Sequence, residues 1–208
     1  MTTTGTDIVE LDRIAVHEAL RMVESAHAED WERDTPCAGW DLRRLVAHMA
    51  AQHRGFAAAA RGTGHDPDSW REPADLSDPA RTHREAATDV LAAFAEPGVV
   101  EREFTLPELG ASFPGRMAIG FHFVDYVVHA WDVAATLGVR LDLSDDVLDI
   151  ALTVAQSVPT DPAGRGPGFA FGPSLDVPPD AGALDETLRL LGRAPEDWPT
   201  NSPSLPSL

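Results

Sequence analysis

A long apolar stretch between Met117 and Leu137 constrains the fold of this chain more than any other feature. Nearly every residue in the stretch is apolar, Pro114-Gly115 precedes it and Gly138 follows it. Such a pattern predicts one helix that is buried on most of its sides. Because an all-round apolar helix must be covered by other elements, the rest of the chain has to supply helices or sheet to pack around it.

Four polar residues interrupt this stretch with a spacing that places them on a single helical face. They are His122, Asp125, His129 and Asp132, at positions i, i+3, i+7 and i+10. A buried polar group destabilises the fold unless it has a partner, and an ionised group does so more strongly. A divalent metal would satisfy two imidazoles and a carboxylate, although a hydrogen-bonded core network would give the same spacing.

Amphipathic patterns elsewhere predict further helices over residues 7–26, 41–61, 80–95 and 144–158, with a short last helix over 183–191. Residues 64–79 are polar and Pro-rich, which indicates a loop, and residues 99–106 indicate a short strand or extended arm. We therefore expect a mainly α fold, an antiparallel bundle of four substantial helices with little strand. The predicted bundle covers residues 1–158, a Gly/Pro-rich extension with a short helix packs on it over 159–198, and 199–208 form a flexible tail.

Charge and cysteine content narrow the function classes. The net charge of −18 disfavours nucleic acid and acidic membrane surfaces as partners. The single cysteine, Cys37, allows no intrachain disulfide, and neither a signal peptide nor a membrane-spanning segment is apparent. These features predict a cytoplasmic protein. We expect Cys37 to pack at the end of the bundle rather than to act as a nucleophile.

A third metal ligand is predicted on the second helix. His48 lies in the apolar middle of that helix, and a bundle can bring it beside Asp125 and His129, which are one turn apart. Two imidazoles and one carboxylate leave coordination positions open, as in catalytic zinc sites, and the same set suits iron(II), nickel or manganese. Asp132 could orient a ligand imidazole by hydrogen bonding. His122 is predicted to be a reserve ligand, a proton carrier or a packed histidine.

The chain also resembles a known family. The run Thr35-Pro-Cys-Ala-Gly-Trp-Asp-Leu-Arg-Arg-Leu-Val-Ala-His48 and the run Asp125-Tyr-Val-Val-His-Ala-Trp-Asp132 resemble the actinobacterial metal-binding branch of the DinB/YfiT-like superfamily, which is related to the N-terminal domain of mycothiol-dependent maleylpyruvate isomerase. Leu141-Asp-Leu, Phe171-Gly-Pro and Leu190-Leu-Gly-Arg-Ala-Pro extend the resemblance over residues 8–198.

The resemblance implies a DinB-like four-helix bundle that binds one divalent metal, usually zinc, through His48, Asp125 and His129. It also implies a reaction in which a small thiol binds the metal, ionises and adds to the substrate. Two departures bear on this: the carboxylate is Asp where the isomerase has Glu, and the chain after residue 158 does not resemble a full second domain.

The leading hypothesis is a metal-dependent thiol transferase or isomerase acting on a small electrophilic metabolite, with a small-molecule substrate and a mycothiol-like thiol as its partners. The alternatives are a hydrolase that uses metal-bound water and a non-catalytic binding or structural bundle. Trp40 and Trp131 either line the pocket or belong to the core. The resemblance also allows a homodimer.

Overall fold

The computed structural model describes residues 7–161, 165–166 and 171–198. The predicted tail over 199–208 and parts of the Gly/Pro-rich extension lie outside these residues. The helices of the described part are α1 (Ile8–Glu24), α2 (Leu42–Ala60), α3 (Pro79–Phe94), α4 (Gly115–Leu137), α5 (Asp145–Ala155) and α6 (Ala183–Leu190). The prediction of a mainly α fold is confirmed, and each helix agrees with its sequence pattern to within a few residues.

The helix boundaries follow from local chemistry. Asp7, Asp41 and Asp78 stand at the N-caps of α1, α2 and α3, where each carboxylate accepts a backbone N–H from the first turn of its helix. Gly138 ends α4 in the left-handed conformation, with φ of 69°. A side chain at that backbone geometry would be strained, so glycine is the residue that allows the chain to leave the helix there.

Helices α1 to α4 form the bundle. Helix α1 packs mainly against α4 and α2 mainly against α3, while further contacts join α1 to α3 and α2 to α4. Most of α4 is buried, because α1, α2, α5 and the hairpin described below each cover some part of it. This arrangement explains why α4 is apolar on nearly every side, and it makes any polar side chain on α4 depend on partners inside the protein.

A small antiparallel hairpin precedes α4. Strand β1 (Glu103–Leu106) pairs with strand β2 (Ala111–Pro114), with Phe104 opposite Phe113. The strand predicted over 99–106 is thus shorter than expected, since Val99–Glu101 is a 3-10 turn, and β2 was not predicted at all. The hairpin lies directly against the start of α4, because the amide of Gly115 donates to the carbonyl of Arg102. A Cβ at position 115 would lie 2.2 Å from the Val99 carbonyl oxygen, so this close approach requires glycine.

The segment after the bundle packs back onto it. Helix α5 contacts α4, and α6 contacts α5. Arg165 ties the extension together, because its buried guanidinium donates to the carbonyls of Pro159, Gly172 and Leu190. The division of the chain at residue 158 stays a prediction. Across the described residues, no helix combines the length and apolarity needed to span a membrane.

Candidate metal centre

His129 lies at the centre of the candidate site, on the buried α4. Its Nδ1 atom is 2.9 Å from Oδ2 of Asp132, and its Nε2 atom is 3.5 Å from Oδ1 of Asp125. The helical spacing produces this arrangement, since Asp125 is one turn before His129 and Asp132 is one turn after it. One imidazole therefore lies between two carboxylates, with a different nitrogen turned toward each.

His48 reaches the same place from α2. Its ring lies edge-on to the ring of His129, with the two ring centroids 5.5 Å apart. His48 is half-buried and the Asp125 side chain is 21% exposed, whereas His129 is buried. The structure thus brings together all three predicted ligands, and the side of the cluster formed by His48 and Asp125 is the side that solvent can reach.

The charges in this cluster favour a cation. Burial lowers the pKa of His129, but the negative charge of Asp125 and the hydrogen bond with Asp132 outweigh burial and raise that pKa to about 10. Burial and the positive charge on His129 lower the pKa of His48 to about 4. Near neutral pH His129 is therefore protonated and His48 is neutral, and a metal ion can take the place of the extra proton of His129.

Asp132 is completely buried and has three hydrogen-bond partners. Besides His129, it accepts from Nε and Nη2 of Arg193, at 3.3 and 3.0 Å, and from the thiol of Cys37, at 3.2 Å. Burial raises the pKa of Asp132, but Arg193 and His129 outweigh burial and hold that pKa well below its usual range. Asp132 is therefore an anion that holds a proton on Nδ1 of His129, so that Nε2 is the nitrogen at which a metal could replace a proton.

Cys37 packs against the hydrophobic core and also lies within this cluster, where its thiol donates to Asp132. In the described part of the chain, Cys37, His129 and Asp132 are the one group of three whose donor atoms all lie within 4.8 Å of one another. In the predicted set of His48, Asp125 and His129, the ligand atoms do not all lie within 4.8 Å of one another. Sequence reasoning missed this position because Cys37 and Asp132 are 95 residues apart.

The Cys37 group is nevertheless a poor metal site. The guanidinium of Arg193 lies 3.2 Å from the Cys37 sulfur and also bonds Asp132, so a fixed cation already neutralises the group. Burial and the negative charge of Asp132 raise the pKa of the Cys37 thiol, although the hydrogen bond with His129 opposes them. Because metals bind the thiolate, a raised pKa works against Cys37 as a ligand.

His122 lies apart from the predicted ligands and is fully buried, as in the packed histidine that was one of its three predicted roles. Its Nδ1 atom lies 2.5 Å from Oδ1 of Asp12, and its Nε2 atom lies 3.1 Å from Nδ1 of His53. His122 and His129 are seven residues apart, about 10 Å along the helix axis, and so they face different partners. The four polar residues of α4 thus belong to two clusters instead of one.

The second cluster is a polar layer across the bundle that the sequence analysis did not identify. Each bundle helix contributes one fully buried member: Asp12, His53, His83 and His122. Burial lowers the pKa of His53 far below its usual value and that of His83 to about 3, so both are neutral. The phenol ring of Tyr126 stacks on His53 at 4.0 Å. Histidines at apolar positions of α2 and α3 were the available signal.

Glu108 lies near the open side of the candidate site, at the turn of the hairpin. Its carboxylate accepts a hydrogen bond of 3.0 Å from Nε2 of Gln52, which is one turn after His48 on α2. Burial raises the pKa of Glu108, the bond from Gln52 opposes this, and the charge of Asp125 raises it further. A carboxyl group that is close to Asp125 and easier to protonate than usual is therefore available beside the cluster.

The two tryptophans have different surroundings. The ring centroids of Trp40 and His48 lie 4.9 Å apart, and the guanidinium carbon of Arg44 lies over the Trp40 ring, 4.9 Å from its centroid. Trp131 is a buried member of the hydrophobic core. Of the two residues predicted to line a pocket, only Trp40 contacts a predicted ligand. Two surface depressions of about 360 and 430 Å³ lie elsewhere, beside α1 and beside Trp198, and contain none of the predicted ligands.

Comparisons with known proteins relate the chain to one family. The model of the mycothiol maleylpyruvate isomerase N-terminal domain family matches residues 13–134. Two uncharacterized proteins of Mycobacterium tuberculosis, MT0763 and Rv0738, are each 29% identical to the chain over 172 residues, which is 83% of this chain and 90% of theirs.

Two solved structures share the fold. They are a mycothiol-dependent maleylpyruvate isomerase, with a TM-score of 0.55 and 14% identity, and a histidine-to-alanine mutant of such an isomerase, with a TM-score of 0.56 and 13% identity. Each match covers 71% of this chain and 66% of the isomerase chain, so the chain spans slightly less than two thirds of the length of those enzymes.

Proposed function

The chain belongs to the mycothiol maleylpyruvate isomerase N-terminal domain family, and from this premise we propose that it is a divalent-metal-dependent enzyme that activates a small thiol. The thiol is of the mycothiol type, and the reaction is its transfer to, or the thiol-assisted isomerisation of, a small electrophilic metabolite. The matched residues, 13–134, include all three proposed ligands, His48, Asp125 and His129. The substrate itself is left open, because the isomerase chains extend beyond the part that this chain matches.

The observation that carries the proposal is the orientation of His129. Asp132 holds its Nδ1 atom at 2.9 Å, and Nε2 is directed toward Asp125 at the side where His48 and solvent meet. A ligand histidine whose other nitrogen donates to a carboxylate is the usual arrangement in metal sites. A simple core network would not require an opening at Asp125, whose side chain is 21% exposed.

The donor set fits a divalent metal with open coordination positions. Two imidazoles and one carboxylate suit zinc, which we propose as the metal, and they also suit iron(II), nickel and manganese. Asp125 is shorter by one methylene than the Glu expected from the family resemblance, so its carboxylate reaches less far from α4 toward a bound metal. When bound, the metal would lower the pKa of a thiol so that it ionises near neutral pH.

The protein's own residues would do the remaining work. Asp132 keeps the proton on Nδ1 of His129, so that Nε2 can bind the metal. Glu108, held by Gln52 beside Asp125, accepts the proton that the thiol loses. Trp40 offers an apolar wall beside His48, against which the thiol or the substrate can pack.

The proposal is tested with cobalt-substituted protein and a small thiol. Cobalt(II) takes the place of zinc and has visible absorption bands that report its ligands. We expect one equivalent of cobalt to bind and added thiol to produce a sulfur-to-cobalt charge-transfer band. The same titration of the Cys37→Ala variant excludes the protein's own thiol as the source of the band.

Two results would contradict parts of this function. Saturation with cobalt without any spectral change on adding thiol contradicts thiol activation and favours a hydrolase that uses metal-bound water. Failure of the protein to bind cobalt contradicts metal-dependent chemistry as a whole and favours a non-catalytic bundle.

A further inference from the structure

We propose that Arg193 is a positioning residue for the metal centre, acting through Asp132 on His129. The inference rests on the proposed function, since it concerns the same metal site. Arg193 lies in the C-terminal extension, beyond residues 13–134 that match the family model. The extension would therefore complete a site whose ligands all lie in the bundle.

Two of the three side-chain nitrogens of Arg193 donate to a single carboxylate. Nε and Nη2 donate to the two oxygens of Asp132 at 3.3 and 3.0 Å. This bidentate geometry fixes the carboxylate in both position and rotation. Asp132 in turn holds Nδ1 of His129 at 2.9 Å. The orientation of the His129 ring thus depends on a carboxylate that Arg193 prevents from rotating.

The charge of Arg193 is as important as its geometry. Asp132 has no exposure to solvent and Arg193 is only 9% exposed, so each needs the other as a counter-charge. Without Arg193, the Asp132 carboxylate would lose two of its hydrogen bonds and could rotate away from Nδ1 of His129. The guanidinium also neutralises the Cys37 group and so leaves the His48 side of the cluster as the place for a metal.

The local backbone holds Arg193 in this position. Its own N–H donates to the carbonyl of Leu188, and its Nη1 donates to the carbonyl of Leu191. Gly192 stands just before it with φ of 84°, where a Cβ would lie 2.8 Å from the Cα of Gly172. The turn after α6 therefore needs glycine at 192, and it directs the next side chain into the bundle.

Arg165 offers a matched control within the same extension. It is also a buried arginine with several hydrogen bonds, but its partners are the carbonyls of Pro159, Gly172 and Leu190. Replacing it disturbs the packing of the extension without touching Asp132 or His129. A merely structural role of Arg193 would therefore be matched by the Arg165 variant, and a positioning role would not.

The experiment compares Arg193→Met, Arg193→Lys and Arg165→Met with the wild type. The readouts are the cobalt dissociation constant, the visible spectrum of the bound cobalt and the thermal unfolding of the metal-free proteins. We expect both Met variants to lose stability, but only Arg193→Met to bind cobalt about 10- to 100-fold more weakly and with a changed spectrum. Arg193→Lys should bind cobalt more tightly than Arg193→Met, because lysine keeps the positive charge although it cannot form the bidentate hydrogen bonds.

The outcomes separate this inference from the proposed function. If the wild type binds cobalt and Arg193→Met binds it within about threefold and with the same spectrum, the positioning role is wrong and the proposed function stands. If Arg165→Met weakens cobalt binding as much as Arg193→Met, the effect comes from the extension's packing and the inference is again wrong. If the wild type binds no cobalt, both this inference and the proposed function are wrong.

Discussion

His129 and Asp132 are one helical turn apart on α4, and Nδ1 of the histidine lies 2.9 Å from Oδ2 of the carboxylate. Asp132 is fully buried, so this contact depends on the additional bonds that Arg193 and Cys37 donate to the same side chain. The hydrogen bond determines which nitrogen of His129 turns toward Asp125 and His48. The chemistry of the candidate site therefore depends on residues from the bundle, from the connection before α2 and from the extension after α6.

We expect Asp132→Asn to destabilise the metal-free protein by about 3–5 kcal/mol, because it leaves the buried Arg193 without a counter-charge. Urea denaturation measures the loss. Asp89→Asn is the control, since it also removes an arginine-bound carboxylate, but from an exposed pair with Arg61. That change should cost less than about 1 kcal/mol. Equal losses for the two variants would contradict the importance assigned to the buried pair.

The choice between the two possible donor sets gives a second prediction. Asp125→Ala should weaken zinc binding by at least about 10-fold, whereas Cys37→Ala should leave the affinity within about threefold, since Arg193 opposes a cation beside Cys37. Competition with a chelator of known affinity measures both constants. The reverse order of effects would assign the metal to Cys37, His129 and Asp132.

His83 should make stability depend on pH. Burial, with the positive charge of His129 and Arg84, lowers its pKa from 6.5 to about 3, so the folded protein keeps the ring neutral. In the unfolded chain His83 is protonated below about pH 6.5, whereas in the folded protein it stays neutral down to about pH 3. The folded protein is therefore destabilised as the pH falls from about 6.5 to about 3. We expect His83→Gln to reduce the loss between pH 7 and pH 5 by about 2 kcal/mol.

The comparison requires urea denaturation at each pH for the wild type, for His83→Gln and for a control that replaces the exposed His17 in the same way. The control should lose stability between pH 7 and pH 5 as the wild type does. A His83→Gln variant with the same acid sensitivity as the wild type would show that His83 is not the neutral buried group described above.

Much of the fold could be predicted because it depends on local patterns. The apolar stretch from Met117 to Leu137 corresponds to α4, and the acids at 7, 41 and 78 stand where helices begin. The hairpin was only half predicted. Strand β2 is four residues long, and it depends on a tight turn at Gly110 and on contacts with β1 rather than on any periodicity of its own.

The candidate site could be predicted only as far as helical spacing reaches. The proximity of Asp125, His129 and Asp132 follows from their positions along α4, and the approach of His48 was expected from a bundle and from the family resemblance. Arg193 and Cys37 could not be predicted in the same way, because they are 61 and 95 residues from Asp132. His122 lies on the same helical face as these three residues, but its ring bonds Asp12, which is 110 residues away in the sequence, so its partner could not be predicted from spacing.

Glu108 provides a test of the proton transfer that we assign to the hairpin turn. Glu108→Gln should leave cobalt affinity within about threefold and slow the appearance of the thiol-to-cobalt band by at least about 10-fold, because the thiol loses its proton acceptor. Stopped-flow absorption measures the rate. Glu103→Gln, an exposed glutamate of the same hairpin, is the control and should leave the rate unchanged. Equal rates for all three proteins would remove Glu108 from the proposed chemistry.

The measurement that tests the central claim most directly is the metal content of freshly purified protein, determined by mass spectrometry for the wild type, His48→Ala, His129→Ala and His65→Ala. His65 is exposed in the loop after α2, so its replacement controls for the loss of a histidine as such. We predict near one equivalent of divalent metal in the wild type and in His65→Ala, and almost none in the other two variants. A wild type that holds no metal even after supplementation, or His48→Ala and His129→Ala variants that keep theirs, would contradict the metal centre described here.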